Sequence, residues 1–214
     1  MEIILAVVFI PILLLAFVFL PIHYQYKNAA IEVRGRFIDA FEFPKTISEK
    51  VTEKYTHLNE QEVNRVVDGL REYFHVCNDA GKNMVSMPSQ VVDVAWHEFI
   101  LFTRKYEHFC SNAIGRFLHH TPAEAMESQT VAHAGIKRAW RISCLRKNIS
   151  PSSPTKLPLL FSIDTELSIP DGFEYSLNCK KNGGTAYCAG HIGCGGVGGC
   201  GGDSGSCGGG CGGD

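Results

Sequence analysis

The chain has 214 residues, with 20 Lys and Arg against 22 Asp and Glu and a formal net charge of −2. So near a balance, it lacks the broad basic footprint of a nucleic-acid-binding protein, and nucleic acid is a disfavoured partner. Nine cysteines are many for this length, and six of them fall between Cys179 and Asp214. Without the apolar N-terminus and the Gly-rich C-terminus about 150 residues remain, enough for one domain with a real core.

Ile3 to Ile22 is an unbroken apolar run that includes Pro11 and Pro21. As a helix it would be about 30 Å long, the thickness of a bilayer's hydrocarbon core, and residues 1–26 read as a single transmembrane anchor. Only Glu2 precedes the run and no small-residue cleavage site follows it, which disfavours a signal peptide. Lys27, Arg34 and Arg36 follow the run and no Lys or Arg precedes it. The charge bias therefore predicts a membrane localisation with the body and C-terminus in the cytoplasm. Thiols stay reduced there, and an odd cysteine count suits a disulfide framework poorly.

Ile31, Val33, Gly35 and Phe37 alternate with more polar residues and permit a short strand. Residues 27–148 otherwise read as a small antiparallel helical bundle, giving a mainly α fold. Ile47, Val51, Tyr55 and Leu58 mark a first amphipathic helix. Asn59 and Glu62 form a capping box for the second, whose apolar face includes Val63, Val66, Leu70, Phe74 and Cys77. Ser89 caps a third helix that runs to about Cys110, and Thr121-Pro122-Ala123-Glu124 starts a fourth that reaches about Lys147.

On the third helix, Val92, Trp96, Phe99, Thr103, Tyr106 and Cys110 share one stripe and read as core. Asp93 and His97 are four apart and can touch, and a carboxylate on a histidine nitrogen is common both beside metals and as plain structure. Folding neighbouring helices antiparallel brings His75 toward Asp93 and His133 toward His97. The set His75, Asp93, His97 and His133 would suit zinc or another borderline metal, while separate surface histidines are the bland alternative. His119 and His120 fall in a loop between two helices. Neither a nucleophile elbow nor a phosphate-binding glycine loop is present.

The stretch Val91-Val92-Asp93-Val94-Ala95-Trp96-His97, followed by Tyr106, Cys110, Gly115 and His119-His120, resembles the V-D-x-x-W-H signature of the glycine-rich domain-containing protein family. The resemblance covers residues 85–122 and implies a helical module joined to a Gly-rich region. It implies no activity. The motif residues here are Asp93, Trp96, His97, Tyr106, Cys110, His119 and His120.

From Ser128 to Ile163 there is no Asp or Glu. Lys137, Arg138, Arg141, Arg146 and Lys147 then read either as a solvated face near a helix C-terminus or as contacts to anionic lipid. Residues 149–178 form a proline-containing extension, with Phe161 to Leu167 as a short strand and Pro170-Asp171-Gly172 as a turn.

Residues 179–214 hold sixteen glycines and six cysteines, and so little apolar surface predicts a disordered tail. Cys179, Cys188, Cys194, Cys200, Cys207 and Cys211 never stand in C-x-x-C spacing. Thiols on a flexible chain can still wrap Zn or Cu(I). The Gly-Cys runs also resemble the substrate region of thiazole-containing microcin precursors, which a modifying enzyme cyclises. The residues thus lead to a membrane-anchored, non-enzymatic interaction protein whose tail binds metal or presents thiols, with a protein partner still to be named. Two alternatives stand beside it: a metal- or thiol-dependent enzyme using the His97 region, and a substrate of a Cys-modifying enzyme.

Overall fold

A computed structural model describes residues 2–120, 129–177 and 187–188; among these, the side chains of 2–16, Val18, Leu20, 129–133 and 187–188 lie outside the description. Among the described residues seven helices follow in order: α1 Glu2–Ala40, α2 Lys45–Lys54, α3 Glu60–Ala80, α4 Gln90–Ile100, α5 Thr103–Ala113, α6 Gln129–Arg146 and α7 Leu159–Glu166. The strands β1 Tyr175–Ser176 and β2 Tyr187–Cys188 pair in parallel.

Among the described residues no helix is long and apolar enough to cross a membrane. This overturns the single-pass anchor, and with it the membrane localisation and the cytoplasmic placement of body and C-terminus. The apolar run over 3–22 is not a span closed off by a loop. It is the start of a 39-residue helix that continues through Lys27, Glu32, Arg34, Arg36 and Asp39. Within the run, only Phe17, Phe19, Pro21 and Ile22 have described side chains.

The strand expected around Ile31–Phe37 is helix as well. Its alternation conceals a helical stripe: Ile38 is fully buried, Ile31 and Gly35 are half-buried, and Val33 is exposed. The carbonyl end of α1 is held by Arg71, whose guanidinium donates to the carbonyls of Ile38, Asp39 and Phe41. A cation there also complements the helix dipole.

α3 is the central element, packed against α1, α2, α4, α6 and α7. Its expected capping box is present: the Asn59 side chain accepts from the Glu62 amide, and the Glu62 carboxylate accepts from the Asn59 amide. Gly69 allows α4 to approach closely, since a Cβ there would lie 2.8 Å from Val92 Cγ2. Ser89 caps α4 as expected, its hydroxyl accepting from the Val92 amide at 3.2 Å.

The third helix is two helices, not one. α4 ends at Ile100 and α5 starts at Thr103, with no glycine or proline between them. In one straight helix Phe99 and Phe109 would lie about 15 Å apart along the axis. The break brings their ring centroids to 5.3 Å, and both join an aromatic core with Phe74 and Phe41. Tertiary packing therefore outweighs the backbone hydrogen bonds given up at the turn. Thr103 is exposed, while the other members of the predicted stripe are buried.

Phe161 to Leu167, expected as a strand, forms most of α7 behind an N-cap at Pro158. Leu160, Phe161 and Ile163 are buried, and Phe161 meets Trp140 of α6 edge-on. The capping box at Thr121 and the tail cysteines' side chains lie outside the described residues.

Candidate functional site

The site grows from α4 and the irregular segment that follows α5. Ser89 starts α4, and Asp93 stands in its first turn with His97 one turn later. α5 closes at Ile114 and Gly115, whose amides both donate to the Cys110 carbonyl. Gly115 has φ +77°, a left-handed conformation that glycine adopts without a Cβ clash. The chain then doubles back through 117–120 and lays His120 beside α4.

Three groups converge there. The Asp93 carboxylate accepts from His120 Nε2 at 3.0 Å. Its other oxygen lies 3.3 Å from His97 Nδ1, which also donates to the Asp93 carbonyl at 3.0 Å. The two imidazole centroids are 4.0 Å apart. A carboxylate oxygen and one nitrogen from each ring all lie within 4.8 Å of one another, the geometry of a candidate metal-binding group. The His120 and Asp93 side chains are 12% and 21% exposed and that of His97 is 51% exposed, so the group has a buried floor and an open side. Trp96 forms the floor, its ring 4.5 Å from that of His120.

His75 faces α1, where its Nε2 donates to Asp39 at 2.7 Å, so it is not near Asp93. Antiparallel reflection missed this because α1, read as an anchor and a strand, was absent from the expected bundle. The side chain of His133 lies outside the described residues. His119 is exposed and packs at a tilt against Phe117, with ring centroids 4.8 Å apart. His120 is legible only as a motif residue in a loop, since its carboxylate partner lies 27 residues away in sequence.

The three body cysteines are free and buried. Burial pushes the Cys77 thiol up to about 12 and the Cys144 thiol up to about 11, and it also raises Cys110. None of them is a reactive thiol.

The basic stretch is largely occupied within the protein. Arg138 donates to the Met84 carbonyl, Arg146 pairs with Asp79 at 2.9 Å, and Lys147 pairs with the buried Glu72 at 2.7 Å. These three brace α6 and the residue that follows it against the rest of the body. Lys137 is half-buried and Arg141 exposed.

No curated protein and no solved structure matches the chain. Residues 33–192, which include every element from the later part of α1 to β2, match one family over well over half of the chain. The chain therefore belongs to the UCP032817-like family.

Proposed function

We propose that this protein is a metal-binding helical module in which Asp93, His97 and His120 hold a divalent transition ion. The observation that carries this is the convergence of one carboxylate oxygen and two imidazole nitrogens within 4.8 Å on a partly buried surface. In a tetrahedral zinc site, neighbouring ligand atoms lie about 3.3 Å apart, so the Asp93–His120 pair already stands at a ligating separation. Two imidazoles and a carboxylate suit zinc or a similar borderline ion. Binding at His120 Nε2 would displace the proton now shared with Asp93, and a neutral imidazole then carries its proton on Nδ1. The exposed side of His97 leaves coordination positions open to solvent or to a ligand from a partner.

A second reading places further metal on the tail. It is favoured by the inertness of the three body thiols, which leaves Cys179, Cys188, Cys194, Cys200, Cys207 and Cys211 as the chain's remaining thiols. They would suit Cu(I) or zinc.

The two readings separate by zinc titration of the full chain. A form with all six tail cysteines replaced by serine should retain one tightly bound equivalent, and adding His97→Ala should abolish it. If the serine form takes up no zinc while the native chain does, the body is not the site.

A further inference from the structure

We infer that Tyr106 is the positioning residue of this site, setting His120 against Asp93 through the backbone of Leu118. The inference rests on the metal-site reading, and it explains how an irregular surface segment can hold a ring at ligating distance.

His120 comes from a stretch with no secondary structure, so nothing in its own backbone fixes it. Leu118, two residues earlier, is gripped at both peptide groups. Its carbonyl accepts from the Tyr106 hydroxyl at 2.5 Å, and its amide faces the Cys110 thiol. The same Tyr106 oxygen accepts from the Trp96 indole N–H at 3.0 Å. That indole is the floor against which the His120 ring rests. One buried hydroxyl therefore fixes both the wall beside His120 and the chain leading into it. A residue that orients a ligand through another group commonly changes metal affinity by 10–100-fold when lost.

The spacing of Trp96, Tyr106 and Cys110 acquires a physical meaning here. None of them reaches the carboxylate–imidazole group with a polar atom; Tyr106 and Cys110 meet Leu118, and Trp96 joins them through the Tyr106 hydroxyl. The break between α4 and α5 is what allows this, because it folds Tyr106 back beside Trp96.

The experiment is Tyr106→Phe in the full chain, measured by competitive zinc titration and by ¹⁵N spectra of the imidazole nitrogens in the metal-free protein. The phenyl ring keeps its packing on Phe99 and removes only the hydroxyl. Zinc affinity should fall 10–100-fold, the His120 ring signals should move, and those of His75 on the far side of α3 should not. Native affinity with unmoved His120 signals overturns the inference. If the native chain itself binds no zinc, the metal reading fails and the metal-free spectra decide alone: moved His120 signals support positioning by Tyr106, and unmoved ones overturn it. Should Tyr106→Phe not fold, Cys110→Ala removes the thiol that faces the Leu118 amide and leaves the Trp96 wall in place, and it carries the same two outcomes.

Discussion

Asp164 and Ser89 meet across 75 residues of sequence, the serine hydroxyl donating to Asp164 Oδ1 at 2.7 Å at the start of α4. Asp164 also accepts from the amides of Gln90, Val91 and Phe173. A buried carboxylate from α7 thus caps the helix that carries Asp93 and His97. It ties the segment after α7 to the same point. Its charge is stabilised by donors and by the positive end of α4 rather than by a cation.

Asp164→Asn presents an amide group where the site supplies only donors. The substitution should destabilise the fold by about 2–4 kcal/mol, read from urea unfolding. Ser89→Ala should lose about 1 kcal/mol, the usual effect of removing a cap. A change below about 0.5 kcal/mol for Asp164→Asn would show that the capping network contributes little to stability.

Trp96 is 4% exposed and touches Tyr73, Phe74 and His120. Trp96→Ala should cost about 3–5 kcal/mol, as large core truncations do. Calorimetric melting of the two proteins checks this, and a shift of only a degree or two would place Trp96 outside the core.

Thiol reactivity should divide the cysteines in two. At pH 8 a thiol held at about 12 is thiolate in only about one molecule in ten thousand, so Cys77 should stay unlabelled in the native protein. Cys110 and Cys144 should behave alike, being raised by the same burial. Raising the pH toward 9 should not expose them, whereas denaturant should add three labelled sites at once. Mass spectrometry after alkylation counts them. Rapid native labelling of any of the three would mean that the core opens locally.

Lys147 braces Glu72, whose side chain is 8% exposed. Lys147→Ala leaves that carboxylate buried without its cation and should cost about 3 kcal/mol. Glu72→Gln made together with it should recover part of the loss, because the charge no longer needs a partner. Chemical denaturation of the single and double variants measures the difference.

What could be read from the sequence was what depends on neighbouring residues. Asn59 with Glu62 and Ser89 before Gln90 announced two helix starts by side-chain chemistry alone. The pairing of Asp93 with His97 followed from one helical turn. The rest depended on distant partners. Nothing between Ile100 and Thr103 breaks a helix by propensity, so the turn there answers to the aromatic core. Antiparallel folding of α3 and α4 alone points His75 toward Asp93, whereas its partner Asp39 comes from α1, which local alternation around Ile31–Phe37 disguises as a strand. His120 reaches Asp93 only because Gly115 reverses the chain and Tyr106 catches it, and neither event leaves a local periodicity.

The two-residue corner between α4 and α5 has an evolutionary corollary. Leu101 is 71% exposed, so its side-chain identity is nearly free. Its presence is not. One added or lost residue would rotate α5 about 100° around its own axis and carry the Tyr106 hydroxyl off Leu118 and away from the indole. The corner should therefore tolerate changes at Leu101 while rejecting insertions and deletions, so that the distance in residues from Trp96 to Tyr106 is a stricter signature than the residue at position 101.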